Sequence, residues 1–170
     1  MKILMTLIFL TLSVIFSDDF TFKELPIQED GRIKPLDTYA RNQMLRFYGK
    51  RSFKDDDGNN LSAINWFQSL VSNTKVEMER PVFNIRNPEV AYSLGLDKND
   101  VHKYSFLDII NGFRDNEELL NSLSETENSE KNLVEKQIVE IYQNVIVFDD
   151  IAHSMYCFLP LIKVDNPVLL

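Results

Sequence analysis

The feature that most constrains this chain is the run LPIQEDGRIKPLDTYARNQMLR at residues 25–46. Two short alternating segments, Leu25-Pro26-Ile27 and Arg32-Ile33-Lys34, flank Glu29-Asp30-Gly31. An Asp-Gly step between such segments predicts a tight hairpin, because Gly31 can take a positive φ without a Cβ clash. Pro35 then ends the extended segment, and Asp37-Thr38 can cap a helix. Leu36, Ala40, Met44 and Phe47 recur three or four residues apart, the spacing of one helix face. A hairpin arm must therefore lead directly into an amphipathic helix.

The later chain is punctuated by similar signals. Gly49 is a helix stop. Residues 50–60, KRSFKDDDGNN, read as a charged, solvated loop turning at Asp57-Gly58-Asn59. Its three aspartates lack the spacing of a calcium loop. Ser62 caps a helix carrying Ile64, Trp66, Phe67, Leu70 and Val71, with Trp66 as a core anchor. Residues 81–85, PVFNI, read as a short strand. Asn87-Pro88 opens a short helix through Val90, Ala91 and Leu94, which Gly95 ends. Ser105 and Asp108 form a capping box with Asp in place of Glu, opening a helix through Phe106, Leu107, Ile109, Ile110 and Phe113. A polar, weakly amphipathic segment follows Asp115-Asn116.

From Leu133 onward the periodicity is strong. Val134, Ile138, Ile141, Val145, Phe148, Ala152, Met155 and Leu159 alternate steps of four and three. They predict one long helix over 131–158, ending near Pro160 and packed either across the core or against a coiled-coil partner. Residues 161–164 then read as a last strand. The fold class expected is α+β, mainly helical. Its small antiparallel sheet would join the N-terminal hairpin, 81–85 and 161–164, with the long C-terminal helix as spine.

Composition limits the function classes. A chain of 170 residues supports one core, and 44% hydrophobic with 26% charged residues is ordinary for a globular protein. A net charge of −8 argues against nucleic acid, which demands a basic stripe, and against adhesion to anionic lipid. Residues 1–17 read as an export signal. Lys2 is the positive end, and 3–16 is apolar apart from Thr6, Thr11 and Ser13. The run is short for a membrane span. Cleavage after Ser17 would leave an extracytoplasmic domain at 18–170; retention would leave a membrane anchor. A single cysteine, Cys157, excludes an internal disulfide.

No catalytic or metal motif emerges. There is no HExxH, GxSxG, CxxCH or cysteine pair. The two histidines are His102, in a polar turn, and His153, beside the helical seam. His153, Met155 and Cys157 are soft-metal or haem-ligand types. Steps of two on a helix send them to different faces, so they cannot share one metal. His153 and Cys157 stand four apart, but nothing nearby supplies an oxyanion hole. Asp149 and Asp150 could orient the His153 imidazole. Arg32, Lys34 and Arg41 stand out near Gly31 and Asp37 in an acidic chain. They read either as surface charges or as a docking edge for carboxylates, which arginine grips in bidentate fashion.

Residues 25–41, LPIQEDGRIKPLDTYAR, resemble the LPVQ-D-GR-KPLDT-AR stretch of bacterial fused ResB–CcsA type (System II) cytochrome c biogenesis proteins. Looser similarity continues through Arg51-Ser52-Phe53, Trp66-Phe67, residues 81–85 with Asn87, Leu94-Gly95 and Tyr104-Ser105-Phe106. It spans roughly residues 24–160. The resemblance implies an extracytoplasmic accessory domain without the haem-handling membrane part. This chain has one tryptophan, and after residue 16 no second long apolar run. No catalytic or haem-ligating residue carries over. The implied role is a non-enzymatic docking module in c-type cytochrome maturation. Its partners would be a CcsA/ResB-type membrane protein and apocytochrome c, and haem would be reached through that complex. Membrane association would come through the partner or an uncleaved N-terminus. The alternative is an extracytoplasmic haem or metal carrier using His153 or His102.

Overall fold

The computed structural model describes residues 21–29, 31–54, 58 and 60–154. The expected export signal, the segment holding Met155 and Cys157, the helix end near Pro160 and the strand at 161–164 lie outside the described residues. The chain divides at Tyr39 into two compact units, residues 1–39 and 40–170.

In the first unit, β1 (Pro26–Glu29) and β2 (Arg32–Pro35) form an antiparallel hairpin. Its register pairs Pro26 with Pro35, Ile27 with Lys34, Gln28 with Ile33 and Glu29 with Arg32. Gly31 has φ +74°, as a two-residue hairpin turn demands. The Leu36 N–H donates to the Leu25 carbonyl at 2.8 Å and closes the base. Helix α1 (Leu36–Tyr48) starts without a linker. Asp37 falls inside its first turn rather than before it, where its carboxylate still complements the helix dipole.

The second unit is built on a cluster of five aromatic rings, each from a different element. These elements are α1, α2 (Ala63–Ser72), β5 (Phe83–Asn84), α5 (Phe106–Asp115) and α7 (Leu133–His153). Phe148 of α7 sits among Phe47, Phe83, Trp66 and Phe106, with centroids 5.2 to 6.3 Å away. Such pairs add about 0.5–1.5 kcal/mol each beyond area burial. Trp66 is fully buried, and its indole N–H has no hydrogen-bond partner among the described residues. It is a packing anchor. On the expected seam of α7, Ile138, Val145, Phe148 and Ala152 are buried, so the long helix is the spine.

Three departures from the sequence reading have local causes. Residues 50–60 are not only a loop: β3 (Ser52–Lys54) and β4 (Asn60–Ser62) pair antiparallel, Phe53 opposite Leu61, with Gly58 at φ +81°. Helix α3 (Thr74–Glu79) follows α2 directly. It buries Glu77, whose carboxylate accepts from Ser69 Oγ at 2.7 Å and Arg80 Nε at 2.9 Å. Finally, the strand at 81–85 does not join the N-terminal hairpin. The described strands form three separate two-stranded sheets.

The third sheet shows why. Beyond α4 (Pro88–Ser93), the Asn99 side chain acts as a substitute strand edge. It donates to the Lys103 carbonyl at 2.9 Å and accepts from the Lys103 N–H at 3.1 Å. His102, at φ +52°, completes the turn. These contacts set β6 (Lys103–Tyr104) against β5, Phe83 opposite Tyr104. Helix α6 (Glu117–Glu125) occupies the polar segment after α5. Every described helix is too short or too polar to cross a membrane.

Candidate functional site

Two places carry concentrated polar chemistry. The first is the hairpin. Its expected basic residues are not equivalent. The Lys34 ammonium is held by Glu29 Oε2 at 2.6 Å, with both side chains largely covered, so much of its charge is compensated. Arg32 is exposed beside Gly31 and forms no ion pair with the described residues. Ile33, next to it, is 78% exposed. Among the described residues the tip thus presents one arginine and one aliphatic side chain on a short ribbon stiffened by the Lys34–Glu29 pair. Arg41 is exposed on α1, in the second unit.

The two histidines occupy unrelated settings. His153 Nδ1 lies 2.9 Å from the Asp149 carbonyl and 3.1 Å from Asp149 Oδ1, within one helical turn. The backbone carbonyl is the nearer partner of the imidazole, and the Asp149 carboxylate stands just beyond it. His102 is exposed in the β5–β6 connection, where its carbonyl accepts from the Ile85 N–H at 3.0 Å. Neither lines the clefts bounded by Arg46 and Asn144, by Asn99 and Asn116, or by Leu120 and Tyr142. Among the described residues no group of three histidine, cysteine, aspartate or glutamate side chains converges as metal ligands would.

The second place was not visible in the sequence. A cleft of about 430 Å³ opens between the end of α1, the β5 segment and α7. Arg46 enters from α1, Asn84 and Arg86 from β5 and the residues after it, and Gln137, Glu140 and Asn144 from one face of α7. Two hydrogen bonds tie its walls together. Arg46 Nε donates to Asn144 Oδ1, and Asn87 Nδ2 donates to Gln137 Oε1 at 2.7 Å. Gly49 has φ +77°, and a Cβ there would come 3.1 Å from Asn84 Nδ2. A side chain at Gly49 would therefore press on the Asn84 amide.

Beside this cleft Lys103 extends its ammonium to the Tyr48 carbonyl at 2.7 Å, 3.6 Å from the centre of the Tyr48 ring. Burial first, then repulsion from Lys50 and Arg86, lowers its pKa to about 8. The shift records chiefly the covering of the Lys103 ammonium, and secondarily the positive charges of Lys50 and Arg86 near it. Lys50, Arg86 and Lys103 come from three separated segments, which is why no charge run betrayed them.

No protein-family model matches this chain, and comparison with curated proteins finds no match.

Proposed function

We propose that this protein is a non-enzymatic docking module in c-type cytochrome maturation, working on the extracytoplasmic side. The single observation that carries the reading is the 25–41 stretch. Its similarity to the System II pattern falls on a formed hairpin whose tip exposes Arg32 and Ile33. An arginine beside an aliphatic residue suits a protein partner that offers a carboxylate next to an apolar patch. The partner class is a CcsA/ResB-type membrane protein, with apocytochrome c as the second client. Haem would be handled by that partner.

The test is co-purification. Tagged full chain should retain a CcsA-type membrane protein from detergent extracts, and deletion should lower c-type cytochrome. No such complex, together with normal cytochrome levels, would remove the proposal. Haem titration tests the carrier reading separately. A saturable Soret shift lost in His153→Ala or His102→Ala would favour it over docking.

A further inference from the structure

The cleft between α1, β5 and α7 has a chemistry that the hairpin does not use. Its volume of about 430 Å³ lies in the range of sites for small ligands and short peptide segments. Its charge is positive at two points. Asn144 holds Arg46 by Nε, which orients the guanidinium and leaves its terminal N–H groups for another acceptor. Arg86 is exposed and makes no ion pair with the described residues. Two guanidinium groups, with Lys50 and Lys103 near Arg86, form a cationic rim that makes no ion pair with the described residues, although Glu140 stands in the same lining.

The rest of the lining narrows the ligand. Glu140 opposes a polyanion but can accept an N–H. Amide side chains supply both donors and acceptors, and that of Asn84 has no hydrogen bond among the described residues. The strand itself offers more. Because the Ile85 N–H turns to the His102 carbonyl, antiparallel alternation turns the Asn84 backbone groups to the opposite edge of β5. Ile141 gives the cleft accessible apolar surface, over the buried Phe47 and Val90. A single carboxylate, backbone amides and one apolar side chain are what these groups match together, and an extended peptide has all three.

We propose that this cleft is a peptide-binding site that takes the carboxylate of an extended segment on Arg46 and Arg86 and an apolar side chain against Ile141. The carboxylate belongs either to a chain terminus or to an acidic side chain. The site shares no residue with the hairpin tip, and the inference does not rest on the role proposed for that tip.

The experiment is an NMR titration of the full chain with three probes. They are acetyl-Ala-Ala-Phe as the free acid, the same peptide as its C-terminal amide, and acetyl-Ala-Asp-Phe-amide. At least one of the two acids should shift the Arg46 Nε–H and the Asn84 and Asn144 side-chain amides saturably. The neutral amide should bind at least about tenfold more weakly, the scale of one lost charge-assisted hydrogen bond. Binding of the free acid alone assigns a terminal carboxylate; comparable binding of the Asp peptide assigns an acidic side chain. Arg86→Gln should weaken the acid by a similar factor, and its exposed, unpaired position keeps folding out of the comparison. Arg46→Gln is the second variant. Absence of saturable shifts with both acids, equal binding of all three probes, or unchanged affinity in both variants would overturn the proposal.

Discussion

Replacing Gly112 with alanine sets two effects of opposite sign against each other. In a helix interior, alanine is favoured over glycine by about 1 kcal/mol. Gly112 lies inside α5, so propensity alone calls for a more stable protein. The packing says otherwise. A Cβ at this position would stand 2.4 Å from the Leu94 carbonyl oxygen and 3.4 Å from Leu96 Cδ2. The carbonyl cannot swing aside cheaply. Leu94 is fully buried, its N–H is bound to the Val90 carbonyl at 3.1 Å, and the Leu96 N–H is bound to the Ala91 carbonyl at 2.9 Å. Overpacking of a core typically costs about 1–3 kcal/mol, and a clash with pinned backbone belongs at or above the upper end. The expected net loss is about 2 kcal/mol, which lowers Tm by about 4–8 °C in a chain of this size. Urea unfolding followed by circular dichroism measures it. An unchanged or raised stability would refute the close approach of α5 to the end of α4.

Glu77→Ala removes the buried carboxylate that holds Ser69 and Arg80, and should cost about 3–5 kcal/mol by leaving the Arg80 charge unpaired. A loss below about 1 kcal/mol in the same assay would contradict that network. Lys103 gives a pH dependence. Its folded pKa, about 8, lies below the ordinary 10.5, so the unfolded chain holds more protons between those values. Stability should therefore rise through that window, and the rise should be smaller in Lys103→Met. Side-chain NMR should also show the Lys103 pKa rising in Arg86→Gln; an unchanged value would mean that Arg86 does not press on it. A Cβ at Gly31 meets no atom within 4 Å, so the cost of Gly31→Val is chiefly backbone strain at positive φ, about 1–3 kcal/mol. That cost should appear as faster amide exchange at Leu36 and along the hairpin; unaltered exchange would deny the positive φ.

Features with a local physical cause could be read in advance. The Ser105–Asp108 capping box forms with hydrogen bonds of 2.9 and 3.1 Å. The Asn87 cap, the Gly31 turn and the α7 seam were equally legible, because each depends on residues within a few turns. Helix α3 escaped because its buried position is Glu77, which no apolar periodicity marks. The β3–β4 ribbon escaped because Phe53 and Leu61 are single apolar residues in a charged stretch. Strand partners are not legible, since two-residue strands carry too little pattern to choose among edges, and the Asn99 side chain makes the choice for β5. At the hairpin, the basic residues were visible but not their inequality: Glu29 compensates Lys34 and leaves Arg32 exposed. The cleft was hidden altogether. Arg46, Arg86 and Asn144 are tens of residues apart and meet only through tertiary packing.

The docking role proposed for the hairpin tip is tested most directly by comparing wild-type chain with Arg32→Glu for binding to a purified CcsA-type membrane protein at two salt concentrations. Charge reversal should weaken the complex by about tenfold or more at low salt, and the difference should narrow as salt screens the exposed pair. Since Arg32 has no ion pair with the described residues, the variant should fold with unchanged Tm. Equal affinity of the two proteins at low salt would contradict the account.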